Sequence, residues 1–171
     1  MSNSEHIVDI FKRSLKATIK SIGKNNEVEI NFVTEQTSKK GKQIQITLPT
    51  TSTLKKDLSY IRGETDSIAL ELRLHDSKIH NQYTTGKKIP DQILSVIEKS
   101  RCEAKGSKDF RGIKVNINKK HNLDLLNQSN SEFDNDNTLI LAFKYVSYAK
   151  LSGQKLSGKY PYYETFLKKK L

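Results

Sequence analysis

Ionisable side chains that share one face of a helix can hold a metal, relay a proton or tie neighbouring elements together. The densest such set lies between residues 62 and 80. With about 100° of rotation per residue, a continuous helix over this segment brings Arg62, Asp66, Arg73, Asp76 and His80 onto one stripe. Ile61, Ile68, Leu72 and Ile79 flank the stripe on one side and Leu70 and Leu74 on the other, while Ser67, Glu71 and Lys78 take the opposite face. A polar row between apolar edges is expected to be covered by other elements. The spacing then favours an ion-pair network, Arg62 to Asp66 and Asp76 to His80, over chemistry. A metal or acid/base site built from His75, Asp76 and His80 is the competing reading. Its two histidines are five residues apart, whereas a zinc-binding helix places them four apart.

Other candidate motifs have simpler readings. Gly153 to Tyr160 has the spacing of a phosphate-binding loop, G-x-x-x-x-G-K, but Tyr160 replaces the magnesium-binding hydroxyl. A helix precedes the motif, and Pro161 is expected to prevent a helix from starting directly after it. A flexible basic turn is the favoured reading. The run Asp134 to Asn137 looks like the start of a calcium loop but has neither the required Gly at its sixth place nor the Glu at its twelfth. Lys168, Lys169 and Lys170, with Tyr160, Tyr162, Tyr163 and Phe166, could bind nucleic acid by charge and stacking; a solvated end with docked aromatics is the simpler expectation. Cys102 has no partner set that argues for a nucleophile and is expected to be a small buried residue.

The elements that must position these residues follow from periodicity. Ile7, Ile10, Phe11, Leu15, Ile19 and Ile22 predict a first amphipathic helix, with Ser2 and Glu5 as a capping pair and Gly23 as its stop. Residues 27–32 and 43–48 alternate apolar and polar and predict an antiparallel hairpin closed by Pro49, with a polar turn between them. A long helix is expected from Leu54 to about Gln82, interrupted only by Gly63, whose presence predicts close packing by a neighbour. Pro90 opens a further helix that Gly106 is expected to end. Residues 110–126 are apolar but ambiguous, and Asn127 to Asn137 reads as a mobile polar loop. Leu139, Ala142, Phe143, Val146 and Ala149 mark a last helix that ends near Gly153. The fold class expected is α+β and mainly helical, a helical bundle with one antiparallel β-hairpin. It divides into a core over 1–126, a loop over 127–137, and a C-terminal helix with a basic aromatic tail over 138–171.

Composition narrows the function. The formal net charge of +11 invites an acidic partner or nucleic acid. Seven lysines and one acid lie between residues 144 and 171, which makes the charge a tail and not a groove. A lone cysteine excludes an internal disulfide and suits a reducing cytosol. No apolar run approaches the roughly 20 residues that span a bilayer, so a cytoplasmic protein is expected.

The stretch Arg62-Gly63-Glu64-Thr65-Asp66-Ser67-Ile68-Ala69-Leu70-Glu71-Leu72-Arg73, followed by His75-Asp76 and His80, resembles the N-terminal region of the CobT subunits of aerobic, ATP-dependent cobaltochelatase. So do Phe11 to Leu15 and Val28 to Phe32 upstream, and Glu98, Arg101 to Ala104, Gly106, Phe110 to Gly112 and Asn116 downstream. The resemblance implies an adaptor with no activity alone, in a complex that inserts cobalt into a corrin ring for cobalamin synthesis. Its implied partners are an AAA+ ATPase ring subunit and a corrin-binding subunit, and cobalt and ATP-Mg are handled by that complex, not by this chain. Family members continue through an acidic linker into an integrin-like domain with a D-x-S-x-S metal site. These 171 residues contain no such motif, so that docking role does not carry over. Within the resemblance, Arg62, Asp66, Arg73, Asp76 and His80, joined by Arg101 and Glu103, are the residues expected to specify the fold or a subunit contact, with no catalytic or metal-ligating residue. The alternative function is a basic cytosolic nucleic-acid-binding protein, and a free-standing metal enzyme using His75, Asp76 and His80 is a third.

Overall fold

The computed structural model describes residues 3–48, 54–127 and 135–170. These form seven helices and one small sheet: α1 (Asn3–Gly23), β1 (Glu29–Val33), β2 (Ser38–Lys40), β3 (Gln43–Thr47), α2 (Leu54–Leu74), α3 (Ser77–Gln82), α4 (Lys88–Asp109), α5 (Arg111–Asn127), α6 (Asn135–Ser152) and α7 (Tyr160–Lys170). The mainly helical class matches the sequence expectation. Ser2 of the expected capping pair, Pro49 and residues 128–134 of the polar stretch lie outside the described residues, as does Asp134 of the calcium-like run.

The hairpin is corrected in its pairing. The two alternating segments are neighbours, but β1 runs parallel to β3, with Ile30 opposite Ile44 and Phe32 opposite Ile46. The antiparallel partner of β3 is β2, which forms from the segment expected to be turn. Two local devices produce this. Gly41, at φ +58°, lets the chain reverse over two residues between Lys40 and Gln43. Residues 34–37 pass over the far end of β3, where Thr47 N donates to Thr37 Oγ1 at 3.1 Å and Thr47 Oγ1 donates to the Glu35 carbonyl at 2.9 Å. Alternation in the sequence decides which side chains face inward and leaves strand direction open. The inward set is as expected: Ile30, Ile44 and Ile46 are buried against Phe11, Leu15 and Ile19 of α1 and Ile61 and Ile68 of α2.

The long helix is corrected as well. It ends at Leu74, and α3 starts afresh behind Asp76, whose carboxylate accepts from the Lys78 and Ile79 backbone N–H groups at 2.9 and 3.2 Å. An aspartate offered as an N-cap competes with its own helix continuation. Helix α2 is the hub of the fold and packs against α1, α4 and α5. Gly63 explains one crossing, since a Cβ there would lie 2.6 Å from Lys120 Cβ and 2.7 Å from the Asn116 carbonyl on α5. Gly106, expected as a helix stop, is instead interior to α4: its missing side chain makes room for Leu70, whose Cδ2 would lie 2.1 Å from a Cβ. Close helix approach, not termination, is its role. Helix α6 packs on α4, and α7 packs on α6 around Tyr145, Tyr163 and Leu167.

Candidate functional site

The three-helix crossing encloses a polar centre. Glu103 on α4 is 1% exposed and His121 on α5 is fully buried. His121 Nε2 lies 2.7 Å from Glu103 Oε2, Ser67 Oγ of α2 donates to Glu103 Oε1 at 2.5 Å, and Lys120 Nζ lies 3.7 Å from the same oxygen. Burial alone would raise the Glu103 pKa, but the His121 and Lys120 partners outweigh it and hold the carboxyl well below its usual range. His121 moves downward, because burial disfavours its charged form more than Glu103 favours it. A neutral imidazole that donates from Nε2 accounts for the geometry at its other nitrogen, since Nδ1 has no hydrogen-bond partner among the described residues and is then an acceptor, not a stranded N–H. The Tyr148 ring lies 4.3 Å from the imidazole and the Tyr145 ring 5.7 Å away, edge-on.

The chemical capacity of this centre is limited by connectivity. A nucleophilic hydroxyl needs a base that takes its proton. Here the Ser67 hydroxyl is spent on the carboxylate and does not reach the imidazole. The group joins α2, α4 and α5, and every member is shielded from solvent.

A second polar group lies toward the α2–α3 junction. Arg101 grips Glu98 through Nε and Nη2 at 2.7 Å each and also donates from Nη2 to the Leu74 carbonyl at 2.8 Å, at the end of α2. His75 Nδ1 is 3.0 Å from Glu98 Oε1, and its ring meets that of His80 at 5.0 Å. The Arg101 bond, opposed by partial burial and aided by His75, brings the Glu98 pKa down to about 2. Beside it is a cleft of about 380 Å³ bounded by Ile79, His80, Tyr83 and Leu94. Cys102, fully buried, has its thiol pushed up to about 12 by burial and by the Glu98 charge. Among the described residues, no three His, Cys, Asp or Glu side chains gather where they could hold a metal ion.

The seven residues picked from the sequence do not converge. Arg62 is exposed and stacks over the Phe11 ring at 5.4 Å, while Asp66 is buried and accepts from Asn116 Nδ2 at 2.8 Å. Burial raises the Asp66 pKa against the opposing pull of Asn116 and Arg62. Arg73 reaches the Ile22 carbonyl at 3.3 Å and the Phe110 ring at 5.5 Å. Asp76 is a cap, His80 faces His75, Arg101 belongs with Glu98, and Glu103 is the centre of the core group. The break at His75–Asp76 separates the two ends of the expected stripe. Ser67, assigned to the face away from the stripe, is buried on Glu103.

Sequence reasoning missed Lys120 and His121. The signal was present: Ile113, Ile117, His121 and Leu125 recur every four residues, which places the histidine on the apolar face of α5. The phosphate-loop lookalike is a structured connection, with Gly153 and Gly158 at φ +67° and +63°. Asn122 Oδ1 accepts from both the Ser157 N–H and its hydroxyl. Contrary to expectation, Pro161 does not delay the helix: it occupies the first turn of α7, where a proline costs no hydrogen bond. In the tail, Tyr163 and Leu167 are buried and Lys168, Lys169 and Lys170 are exposed.

Residues 5–159 match the family described as "Cobalamin biosynthesis protein CobT". No solved structure matches the chain. Among the described residues, no helix is long and apolar enough to cross a membrane.

Proposed function

The chain belongs to the CobT family of cobalamin biosynthesis proteins, and from that premise we propose that it is a non-catalytic adaptor of a cobaltochelatase, the complex that inserts cobalt into a corrin ring at the expense of ATP. In this reading cobalt is cargo and ATP-Mg is fuel, both handled by other subunits: an AAA+ ATPase ring and a corrin-binding subunit. The observation that carries the reading is the burial of Glu103 and His121, at 1% and 0% exposure. Among the described residues this is the enclosed one of two carboxylate–imidazole pairs, and a substrate does not reach it; the other, Glu98 with His75, has its carboxylate clamped by Arg101.

An adaptor also needs a face. Helix α3 has no buried residue, and it and its C-cap present Ile79 at 55% and Tyr83 at 67% exposure next to the Glu98–Arg101 pair. Exposed apolar side chains rimmed by polar groups are the composition of a subunit contact. The face supports the reading independently of the buried centre.

Co-purification tests it. The chain is expected to retain the ATPase subunit of the same cell, and the double change Ile79→Ser with Tyr83→Ser is expected to release it while the helical content is kept. Failure of the unaltered chain to retain that subunit overturns the adaptor role. Retention that survives the double change moves the contact elsewhere and overturns the α3 assignment.

A further inference from the structure

A cleft of about 700 Å³ opens between α4, α5 and the start of the α6–α7 connection, lined by residues that belong to neither the Glu103 nor the Glu98 group. Four cations line it: Lys108 near the end of α4, and Arg111, Lys114 and Lys119 on α5. Among the described residues no acidic side chain lines it, and none of the four forms an ion pair or ring contact. Four like charges around one concavity repel each other, and the low-dielectric walls concentrate their field. A bound anion relieves that repulsion.

The lining also includes an unsatisfied hydroxyl. Ser107, 5% exposed, is one of the lining residues, and among the described residues its Oγ, which can donate, has no hydrogen-bond partner. Buried polar atoms without partners are rare in folded proteins, because each has lost water and gained nothing. Here one such hydroxyl belongs to a residue that lines the cleft beside four cations. Sequence periodicity explains why they meet: Arg111, Lys114 and Asn118 follow the i, i+3, i+7 rhythm of one face of α5, while Ile113 and Ile117 occupy the buried face.

We infer that this cleft binds a small organic anion that carries at least two phosphate or carboxylate groups. Its volume lies within the range of small-molecule sites. The donor set of ammonium, guanidinium and hydroxyl groups matches anionic oxygens, and its positive charge disfavours a metal cation. Ala104 and Val115 supply an apolar wall for the scaffold that joins the anionic groups, and among the described residues no aromatic side chain lines the cleft to stack a nucleobase. The inference does not rest on the adaptor role: the site belongs to this chain alone and is tested without partners.

Calorimetric titration of the full chain with pyrophosphate and with citrate, at constant salt, is the test. Saturable one-to-one binding of at least one of them is expected, and whichever binds tighter identifies phosphate or carboxylate as the source. Arg111→Gln with Lys114→Gln is expected to weaken binding by at least about tenfold, since two charge-assisted contacts are lost. Ser107→Ala, which changes no charge, is expected to weaken it by about threefold or more, as loss of one neutral hydrogen bond does. The control is Lys168→Gln with Lys169→Gln and Lys170→Gln, which removes more charge from the exposed tail and is expected to leave binding unchanged. Binding of neither anion overturns the inference. Equal weakening by the tail and cleft variants also overturns it, because that outcome means attraction to overall charge.

Discussion

Helix α4 carries two carboxylates, Glu98 and Glu103, and the same helix gives them opposite environments. Both are held ionised by cationic or imidazole partners on other turns and elements. Glu98 keeps 18% of its side chain exposed and is gripped by an Arg101 that is itself 41% exposed. Glu103 is enclosed by α2 and α5, and its own side chain is 2% exposed. Partial hydration makes the first pair replaceable, because water takes over whatever a lost partner provided. Around Glu103 there is no water to do so, and each partner is obligatory. The contrast shows that the identity of an ion pair says little until its access to solvent is known.

Breaking the buried member is expected to have the largest effect. Glu103→Ala leaves Lys120 and His121 enclosed without an acceptor and is expected to cost about 3–5 kcal/mol of folding stability, measured by urea unfolding. A loss below about 1 kcal/mol would place Glu103 in the same class as Glu98. The state of the imidazole sharpens the same point: nitrogen-resolved NMR of His121 at neutral pH is expected to show a single protonated ring nitrogen, Nε2. Two protonated nitrogens would mean a charged pair in the core and contradict the neutral assignment.

Next in size is the approach of the helices that makes the enclosure. Gly63→Ala adds a methyl 2.7 Å from the Asn116 carbonyl and is expected to destabilise by about 1–3 kcal/mol. An isolated helix would instead gain about 1 kcal/mol from the same change, so the sign of the measured effect decides whether α5 lies against α2 as described.

The smallest effects belong to the partly exposed pair. Arg101→Lys loses the two-pronged grip on Glu98 and the bond to Leu74, with an expected cost of no more than about 1 kcal/mol. The pair has a distinct pH signature. Its folded pKa of about 2 lies below the ordinary 4.5, so its contribution is complete above about pH 4.5 and is lost as pH falls from there through about 2. Glu98→Gln is expected to flatten the stability profile in that window and leave it unchanged near neutrality. An unaltered acid limb would show that the Glu98–Arg101 contact is absent in solution.

Much of the fold was legible from residue order. The inward faces of α1, β1 and β3 follow from periodicity alone, because one buried face per element leaves a repeat in the chain. Gly63 announced a close neighbour for a similar reason: a helix tolerates glycine where something else needs the space. The polar centre was legible only in part. Glu103 could be named as a member, but its partners lie 36 and 18 residues away, on α2 and α5. No local rule pairs positions on separate helices. The expected stripe failed at Asp76, where a side-chain cap outweighed the continuing helical pattern.

What this sequence determined by itself is the set of amphipathic segments, their buried sides, the glycines that permit contact, and membership of the CobT family across most of the chain. Tertiary structure alone decided that β1 runs parallel to β3, that Gly106 admits Leu70 and does not end α4, and that Glu103 meets His121 and Ser67. It also decided that four lysine and arginine side chains face one cleft. The physical reason is the range of the forces involved: periodicity and capping act within a few residues, whereas desolvation and close packing depend on which distant segments enclose a group.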